Sequence, residues 1–245
     1  SAYSKGLLDA TRLENGGADA IVVENYAEPE MGAQAGTQSK VYMEHICAEI
    51  RKIVRRAELG MNVLPADVTA AFELAMTYNF DFVHADIYSD TVRSRETGAE
   101  IRVNLDYVSR FRRECEMKAD ERIPLIATVK PRHAYDVCGD EHIENSARRA
   151  AEYGADAIAV VGSGGMPPEK NDISRVKSLV RVPVGAGSGM NNATLEEYFM
   201  MVDFFLVSRF FRQDGDISKP IDERIVSFLA NRKRYLMARN GLNGI

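Results

Sequence analysis

The chain has 245 residues, of which 45% are hydrophobic and 27% charged, and its formal net charge is −5. This composition is typical of a globular protein and excludes a disordered chain, a collagen and a disulfide scaffold. The negative charge argues against a nucleic-acid partner, because such proteins neutralise phosphates with a basic face. The sequence has no apolar run of about 18 residues that would span a membrane. The length favours one domain over residues 1–245.

Short apolar runs alternate along the chain with longer stretches of helical period. The runs are nearly continuous, which is typical of strands buried on both faces of a parallel sheet. The seven predicted strands are residues 20–23, 60–64, 82–87, 123–129, 157–161, 182–186 and 204–207. Strands that alternate with amphipathic helices in this way predict an α/β fold with a parallel sheet.

Two α/β architectures fit this alternation. A doubly wound sheet needs a Gly-x-Gly-x-x-Gly turn after its first strand, and that turn is missing after residues 20–23. A barrel needs phosphate-binding turns after its last strands, and such turns are present. We therefore predict a TIM (β/α)8 barrel. Because the pattern supplies seven strands and residues 4–16 read as the first helix, we expect the first strand to lie upstream of Ser1.

Polar residues at the ends of the early strands are candidates for acid–base chemistry. Glu24 ends the strand at 20–23, and Asn62 lies within the strand at 60–64, where we expect it to bind substrate. His84 and Asp86 are two residues apart in one strand, so their side chains point to the same side. If that side is the interior, Asp86 and Glu24 line the mouth of the barrel. A carboxylate there acts as a base when its pKa is raised.

A basic segment follows the strand at 123–129. Lys130 forms a Schiff base if burial or nearby cations depress its pKa. Arg132 is suited to clamp a carboxylate or phosphate, and His133 to move protons near neutral pH. We predict Lys130 and His133 as catalytic residues, with a solvated basic loop as the alternative. A divalent metal could also be bound by carboxylates and imidazoles such as those of Glu24, His84, Asp86 and His133, but no tight spacing in the sequence supports a metal site. No cofactor is firmly predicted.

The turns after the late strands are candidates for binding a phosphate. Gly187-Ser188-Gly189 precedes a helix, and glycine backbone lets N–H groups approach an anion closely. The positive end of the helix dipole adds to this attraction. Ser208-Arg209 follows the last strand, where barrels commonly hold a phosphate. The alternative is that these glycines only make tight turns.

An earlier turn, Gly162-Ser163, follows the strand at 157–161 and is a further candidate for the ligand site. Its N–H groups are suited to an anion, because a glycine-rich turn leaves them accessible. A flexible connection to the next helix explains the same residues equally well, so both interpretations stay open.

Several segments in order along the chain resemble the BtpA family, which includes SgcQ-like proteins. These segments are Asp19-Ala20-Ile21-Val22-Val23-Glu24-Asn25, Met61-Asn62-Val63-Leu64, Lys130-Pro131-Arg132-His133, Ala157-Ile158-Ala159-Val160-Val161-Gly162-Ser163, Val182-Pro183-Val184 with Gly187-Ser188-Gly189, and Phe210-Phe211-Arg212-Gln213-Asp214-Gly215 followed by Pro220-Ile221-Asp222. The resemblance implies a TIM barrel. The pairs His84/Asp86 and Ser208/Arg209 depart from the family pattern, which affects the expected substrate.

Two functional expectations follow from the resemblance. One branch of the family is linked to the accumulation of photosystem I, as an extrinsic membrane-associated factor. SgcQ-like members occur among proteins of carbohydrate metabolism. The resemblance therefore implies the fold more firmly than the reaction.

The residues favour an enzyme that binds a phosphorylated small molecule, such as a sugar phosphate or a nucleotide-like compound. Isomerase, lyase or aldolase chemistry suits these residues, since each moves a proton beside a stabilised oxyanion. The alternatives are a non-catalytic assembly factor, as in photosystem I biogenesis, and a metal-dependent hydrolase. Three scattered cysteines indicate reduced thiols and a cytoplasmic location. Peripheral membrane association and a homo-oligomer remain open.

Overall fold

A computed structural model describes residues 2–26, 34–131, 135–139 and 142–242 of the chain. Its main sheet has seven strands, all parallel to their neighbours, in the order β1-β2-β3-β6-β8-β9-β10. These strands are β1 (Ala20–Glu24), β2 (Glu58–Asn62), β3 (Phe82–Ala85), β6 (Leu125–Val129), β8 (Ala157–Val161), β9 (Val184–Gly187) and β10 (Phe204–Leu206). All seven predicted strands are confirmed, with ends shifted by no more than two residues.

Helices separate the strands along the chain. They are α1 (Ala2–Gly16), α2 (Thr37–Ile53), α3 (Val68–Tyr78), α4 (Leu105–Ala119), α5 (Ile143–Glu152), α6 (Lys170–Leu179), α7 (Asn192–Tyr198) and α8 (Glu223–Arg239). The first helix begins two residues before its predicted start. None of these described helices is long and apolar enough to cross a membrane.

The first and last helices pack against each other, which shows how far the sheet curls. Gly16 of α1 lies so close to α8 that a Cβ added there would come within 2.5 Å of Val226. Arg12 donates a 2.7 Å hydrogen bond to the carbonyl of Ile221, and Asp9 accepts one of 2.8 Å from the Ile221 N–H. The helical layer therefore closes on itself. In the sheet, β1 and β10 are the two end strands.

Aspartates fix the register of the strands at their amino ends. Three aspartates lie directly before a strand, namely Asp81, Asp156 and Asp203. Each carboxylate accepts one hydrogen bond from a backbone N–H at the start of the neighbouring strand. The donors are Leu59 at 2.7 Å, Leu125 at 2.9 Å and Val184 at 2.8 Å. The N–H of each aspartate donates in return to the carbonyl of the same partner. These two-way contacts hold adjacent strands in register at that end of the sheet.

A small antiparallel sheet, which the sequence pattern did not predict, adjoins the carboxyl ends of the strands. Its strands are β4 (Val92–Ser94), β5 (Glu100–Ile101) and β7 (Tyr135–Val137), in the order β5-β4-β7. The first two follow β3 and the third follows β6. The sheet therefore ties together the connections that leave these two neighbouring strands.

Candidate functional site

A cavity of about 3080 Å³ opens along β1 and β10, and it is lined by residues from both ends of the strands and from the helices α1, α2 and α8. At the carboxyl ends of the strands its lining includes most of the predicted site residues. These are Glu24, His84, Asp86, Gly187, Ser188, Gly189, Ser208 and Arg209. Active sites of parallel α/β barrels lie at this end, so this end of the cavity is the candidate site.

Glu24 lies at this end of β1, opposite Asn62 of β2. The two residues are register partners, and the Asn62 amide donates a 3.3 Å hydrogen bond to the Glu24 carboxylate. Glu24 is exposed to the cavity, and the protein around its carboxylate removes part of its hydration. This desolvation, together with the charge of Asp86, raises the pKa of Glu24 to about 7. The Asn62 hydrogen bond and the charge of Arg212 act in the opposite direction.

His84 lies deeper than Asp86 on the same side of β3. Its side chain is buried, and its Nε2 atom is 3.0 Å from the hydroxyl of Thr128 on the neighbouring strand β6. Burial lowers the pKa of His84 to about 4, so the imidazole is neutral at physiological pH. The predicted alignment of His84 and Asp86 places both in the cavity lining with Glu24. Thr128, which sequence reasoning missed, belongs to the same group.

Lys130 follows β6 directly and has a left-handed backbone, with φ of 49°. Its N–H donates a 2.7 Å hydrogen bond to Asp90, a carboxylate that is almost completely buried. Asp90 also accepts from the hydroxyl of Ser146 in α5. A lysine seldom adopts this conformation, and such residues tend to occur at functional sites. Lys130 is not among the described residues that line the cavity.

The turn after β9 has two consecutive residues in the left-handed region, Ser188 with φ of 65° and Gly189 with φ of 61°. The following helix α7 is capped by Asn191, whose side chain accepts from the N–H groups of Ala193 and Thr194. The chain itself therefore uses these N–H groups at the helix start. An anion in this region would depend on the turn rather than on the helix end.

Packing also explains two of the glycines in these turns. A Cβ at Gly162 would lie 1.9 Å from the Met166 carbonyl oxygen, and one at Gly189 would lie 2.5 Å from the Pro167 nitrogen. The segment around Met166 and Pro167 thus contacts both turns, and a side chain at either glycine would push it away. Among the described lining residues, Gly165, Met166 and Pro167 border the cavity, whereas Gly162 and Ser163 do not.

The turn after β10 leads into a short 3-10 helix that begins at Arg209. Ser208 and Arg209 are both exposed and line the cavity. This turn follows the strand next to β9 in the sheet, so its residues adjoin the turn that contains Ser188. The two predicted phosphate-binding turns therefore share one side of the cavity.

Two predicted residues, Arg132 and His133, lie outside the described residues. The metal alternative included His133 together with Glu24, His84 and Asp86. Across the ranges that the structure describes, no three His, Cys, Asp or Glu side chains are grouped closely enough to hold a metal ion. The described side chains therefore give no support to a metal site.

The chain matches the model of the BtpA family over residues 3–234. It belongs to the BtpA family. A protein of Archaeoglobus fulgidus is 28% identical over 92% of this chain and 88% of its own length. The photosystem I biogenesis protein BtpA of Synechocystis is 25% identical over 90% of this chain and 76% of its own length.

Two solved structures show the same kind of fold. Phosphoribosyl anthranilate isomerase from Thermus thermophilus has a TM-score of 0.59 at 13% identity, and 94% of each chain is covered. The (S)-3-O-geranylgeranylglyceryl phosphate synthase from Thermoplasma acidophilum, in complex with its substrate sn-glycerol-1-phosphate, has a TM-score of 0.55 at 13% identity. That match covers 94% of this chain and 87% of the synthase. The two matches support a TIM-barrel-like fold.

Proposed function

We propose that this protein is an enzyme that transforms a phosphorylated small molecule, a sugar phosphate or a nucleotide-like compound, by acid–base catalysis. The observation that carries the proposal is the position of Glu24. Its carboxylate lies at the carboxyl end of a barrel strand, hydrogen-bonded to Asn62, in the cavity that Ser188 and Ser208 also line. The chemistry is that of an isomerase, a lyase or an aldolase.

Glu24 supplies the proton transfer in this proposal. A carboxyl group with a pKa of about 7 is present in both protonation states near neutral pH. The ionised form removes a proton from a carbon next to a carbonyl group, and the protonated form returns one. Asn62 orients the carboxylate. Asp86 acts through its charge, which keeps the proton affinity of Glu24 high.

The phosphate of the substrate binds at the turns around Ser188 and Ser208. The left-handed backbone at Ser188 and Gly189 supports this assignment, because successive N–H groups in such turns form a concave anion site. Arg209 adds a positive charge at the rim. Gly162 and Ser163 contribute by holding the adjoining turn in place. Lys130, Arg132 and His133 are proposed to complete the site from the β6 side.

The closed eight-stranded barrel is also part of the proposal. Asp19 stands before β1 as Asp81, Asp156 and Asp203 stand before their strands, but its carboxylate contacts Lys233 of α8. A parallel strand between β1 and β10 would offer Asp19 the kind of N–H donor that the other three aspartates bind. Such a strand would also pair both end strands of the sheet.

A thermal-shift titration tests the proposed ligand class. Sugar phosphates, nucleotides and inorganic phosphate are titrated into the wild-type protein and the Ser188→Asp variant. A ligand that binds only the native state raises apparent stability by RT ln(1 + [L]/Kd), which is about 2.7 kcal/mol at 100 times Kd. We expect selective stabilisation by one phosphorylated class, and its loss in Ser188→Asp through like-charge repulsion.

Two controls make the titration specific. Ser178→Asp places the same charge on an exposed position of α6, outside the cavity lining, so it should leave the ligand shift unchanged. Divalent cations without phosphate test the metal alternative. If no phosphorylated compound stabilises the wild-type protein, or if Ser188→Asp keeps the full shift, the proposed phosphate site is wrong.

A second candidate function, a non-catalytic assembly factor, is favoured by one observation, the relation to the photosystem I biogenesis protein of Synechocystis. Such a role would use an outer surface and tolerate changes inside the cavity. Complementation of a strain that lacks its own family member separates the two functions. A Glu24→Gln variant that restores the phenotype fully would favour the assembly role.

A further inference from the structure

Arg212 directly follows the short 3-10 helix after β10, and its side chain contacts Asp9 of α1 at the lining of the cavity. It belongs to the segment Phe210-Phe211-Arg212-Gln213-Asp214-Gly215, which the proposed reaction does not use. Its side chain is 12% exposed, and it lines the same cavity as Glu24. A cation at this depth needs specific partners, because desolvation is costly.

One side of the guanidinium is fully engaged. Nη1 lies 2.8 Å from the Asp9 carboxylate and also donates to the carbonyl of Lys219. The backbone holds the side chain in place, since Arg212 pairs with Ile221 in an antiparallel bridge and Ile221 donates to Asp9. Arg212 is therefore fixed by α1 and by its own loop.

The other side of the guanidinium has a different character. Nε is buried and has no hydrogen-bond partner among the described residues. In arginine, Nε and Nη2 form the edge opposite to Nη1, and this edge binds a carboxylate through two parallel hydrogen bonds. A buried N–H without a partner costs stability, so a ligand that accepts from it gains the corresponding free energy.

The local charge balance also favours an anion. Asp9 is shared by two cations, because Lys5 lies 2.9 Å from the carboxylate that Arg212 contacts. These three groups carry a net positive charge. Glu24 does not cancel it at neutral pH, since its pKa of about 7 leaves a large part of the carboxyl protonated. The charge of Arg212 in turn lowers the pKa of Glu24, which places the two groups within electrostatic reach.

We propose that Arg212 binds a carboxylate of the substrate through its Nε–Nη2 edge, beside Glu24. The inference rests on the proposed function and narrows it: the substrate carries both a phosphate, held at Ser188 and Ser208, and a carboxylate, held at Arg212. A carboxylate in this position lies next to the carbon from which Glu24 removes a proton. Arg212 then binds the negative charge that develops on the carboxylate oxygens as the proton leaves.

Two matched ligands test this assignment on the wild-type protein. 3-Phosphoglycerate and glycerol phosphate both have three carbons and one phosphate, and they differ in that a carboxylate replaces a hydroxymethyl group. Calorimetric titration should give a dissociation constant about tenfold lower for 3-phosphoglycerate, as expected for a charge-assisted pair of hydrogen bonds. Equal affinities would overturn the proposal, whatever any variant does.

The variant Arg212→Lys retains the positive charge but removes the Nε donor and the planar fork. It should lose the preference for 3-phosphoglycerate and bind glycerol phosphate as the wild-type protein does. Arg12→Lys is the matched control, because Arg12 contacts the Ile221 carbonyl at the same junction with α1. It should leave both affinities unchanged. An Arg212→Lys protein that keeps the tenfold preference would show that Arg212 has only a structural role.

Malonate, a carboxylate without phosphate, separates failure of this inference from failure of the proposed function. If neither phosphate compound binds but malonate binds the wild-type protein and not Arg212→Lys, the carboxylate site stands and the phosphate site fails. The opposite result is that glycerol phosphate binds, malonate does not, and 3-phosphoglycerate has the same dissociation constant as glycerol phosphate. In that case the phosphate site stands and the proposed role of Arg212 is wrong.

Discussion

The amide of Asn62 donates to the carboxylate of Glu24 across a distance of 3.3 Å, between register partners of two parallel strands. This contact positions a carboxyl group whose pKa is raised to about 7. In the same cavity, burial lowers the pKa of His84 to about 4. Folding therefore shifts the pKa values of the two groups in opposite directions, and the effects of the two groups on stability can be separated by varying the pH.

Replacement of Glu24 by Gln should make the protein relatively more stable as pH rises. The folded protein retains the Glu24 proton up to about pH 7, whereas the unfolded chain loses it near the ordinary value of 4.5. The stabilisation from this proton is complete below pH 4.5 and is lost as pH rises through 7. Urea unfolding of both proteins from pH 4.5 to 8.5 measures the difference. Parallel stability curves would contradict the raised pKa.

Replacement of His84 by Gln should have the opposite pH dependence. His84 stays neutral in the folded protein down to about pH 4, while an unfolded histidine gains a proton near 6.5. The wild-type protein should lose on the order of 3 kcal/mol relative to His84→Gln as pH falls through this window. The glutamine side chain of the variant retains a polar group for the Thr128 hydroxyl. The same unfolding series, compared between the two variants, checks the sign.

Replacement of Lys130 by Gly should separate stability from ligand binding. Gly adopts a φ of 49° without the strain of a side chain, and relief of strain offsets the greater entropy of glycine in the unfolded chain. We expect the free energy of unfolding to stay within about 1 kcal/mol of wild type. The stabilisation by a phosphorylated ligand should fall, because the amine at the β6 end is gone.

The control for Lys130 is Asp120→Gly. Asp120 has a φ of 52° and ends helix α4, before the amino end of β6, and it is not a lining residue of the cavity. Its replacement relieves the same kind of strain and should leave the ligand shift intact. If Lys130→Gly retained the full ligand shift, Lys130 would have no part in binding.

The sequence predicted the main sheet well because its strands carry a simple physical signature. Strands covered on both faces must be apolar throughout, as Ala157–Val161 is, so their positions can be read directly. The short strands β4, β5 and β7 have two or three residues each, which is too few for any periodicity. The aspartates before the strands were also missed. Their carboxylates act between neighbouring strands, a relationship that spacing along the chain does not contain.

The candidate site could be predicted only in part. Period two placed His84 and Asp86 on one side of a strand, and both line the cavity. The same rule applied to Thr128 and Ile126 would have found the partner of His84. Asp90 and Asp9 gave no signal, because each acts on a residue that is distant in sequence. Long-range partners of this kind follow from the fold and not from local pattern.

Replacement of Gly162 by Ala should destabilise the protein through a clash with backbone. A Cβ at this position would lie 1.9 Å from the Met166 carbonyl oxygen, so the segment around Pro167 must move. We expect a loss of about 2 kcal/mol, in the range of overpacked sites. Gly164→Ala is the control: nothing lies within 4 Å of its Cβ, and only its φ of 59° opposes a side chain. Thermal unfolding should give a lower midpoint for Gly162→Ala than for Gly164→Ala. A lower midpoint for Gly164→Ala would contradict the packing argument.

Replacement of Asp203 by Ala should destabilise the sheet at its amino end. The Asp203 carboxylate accepts from the N–H of Val184, a residue that is completely buried, and it also contacts Lys177. Removal of the acceptor leaves a buried N–H without its partner, which costs about 1–3 kcal/mol. Asp203→Asn keeps an oxygen for Val184 and should recover most of this loss. Urea unfolding measures all three proteins.

The stability of Asp19→Ala, compared with that of Asp203→Ala, tests whether a strand lies between β1 and β10. Asp19 precedes β1 as Asp203 precedes β10, but in the described structure its exposed carboxylate contacts Lys233. The exposed ion pair alone contributes less than about 1 kcal/mol, so with that contact only, Asp19→Ala would be much milder than Asp203→Ala. The closed barrel that we propose predicts similar costs instead, because Asp19 would then accept from a strand N–H. Equal costs for the two variants would mean that Asp19 also accepts from a strand N–H. That result would contradict the exposed ion pair and support a strand between β1 and β10.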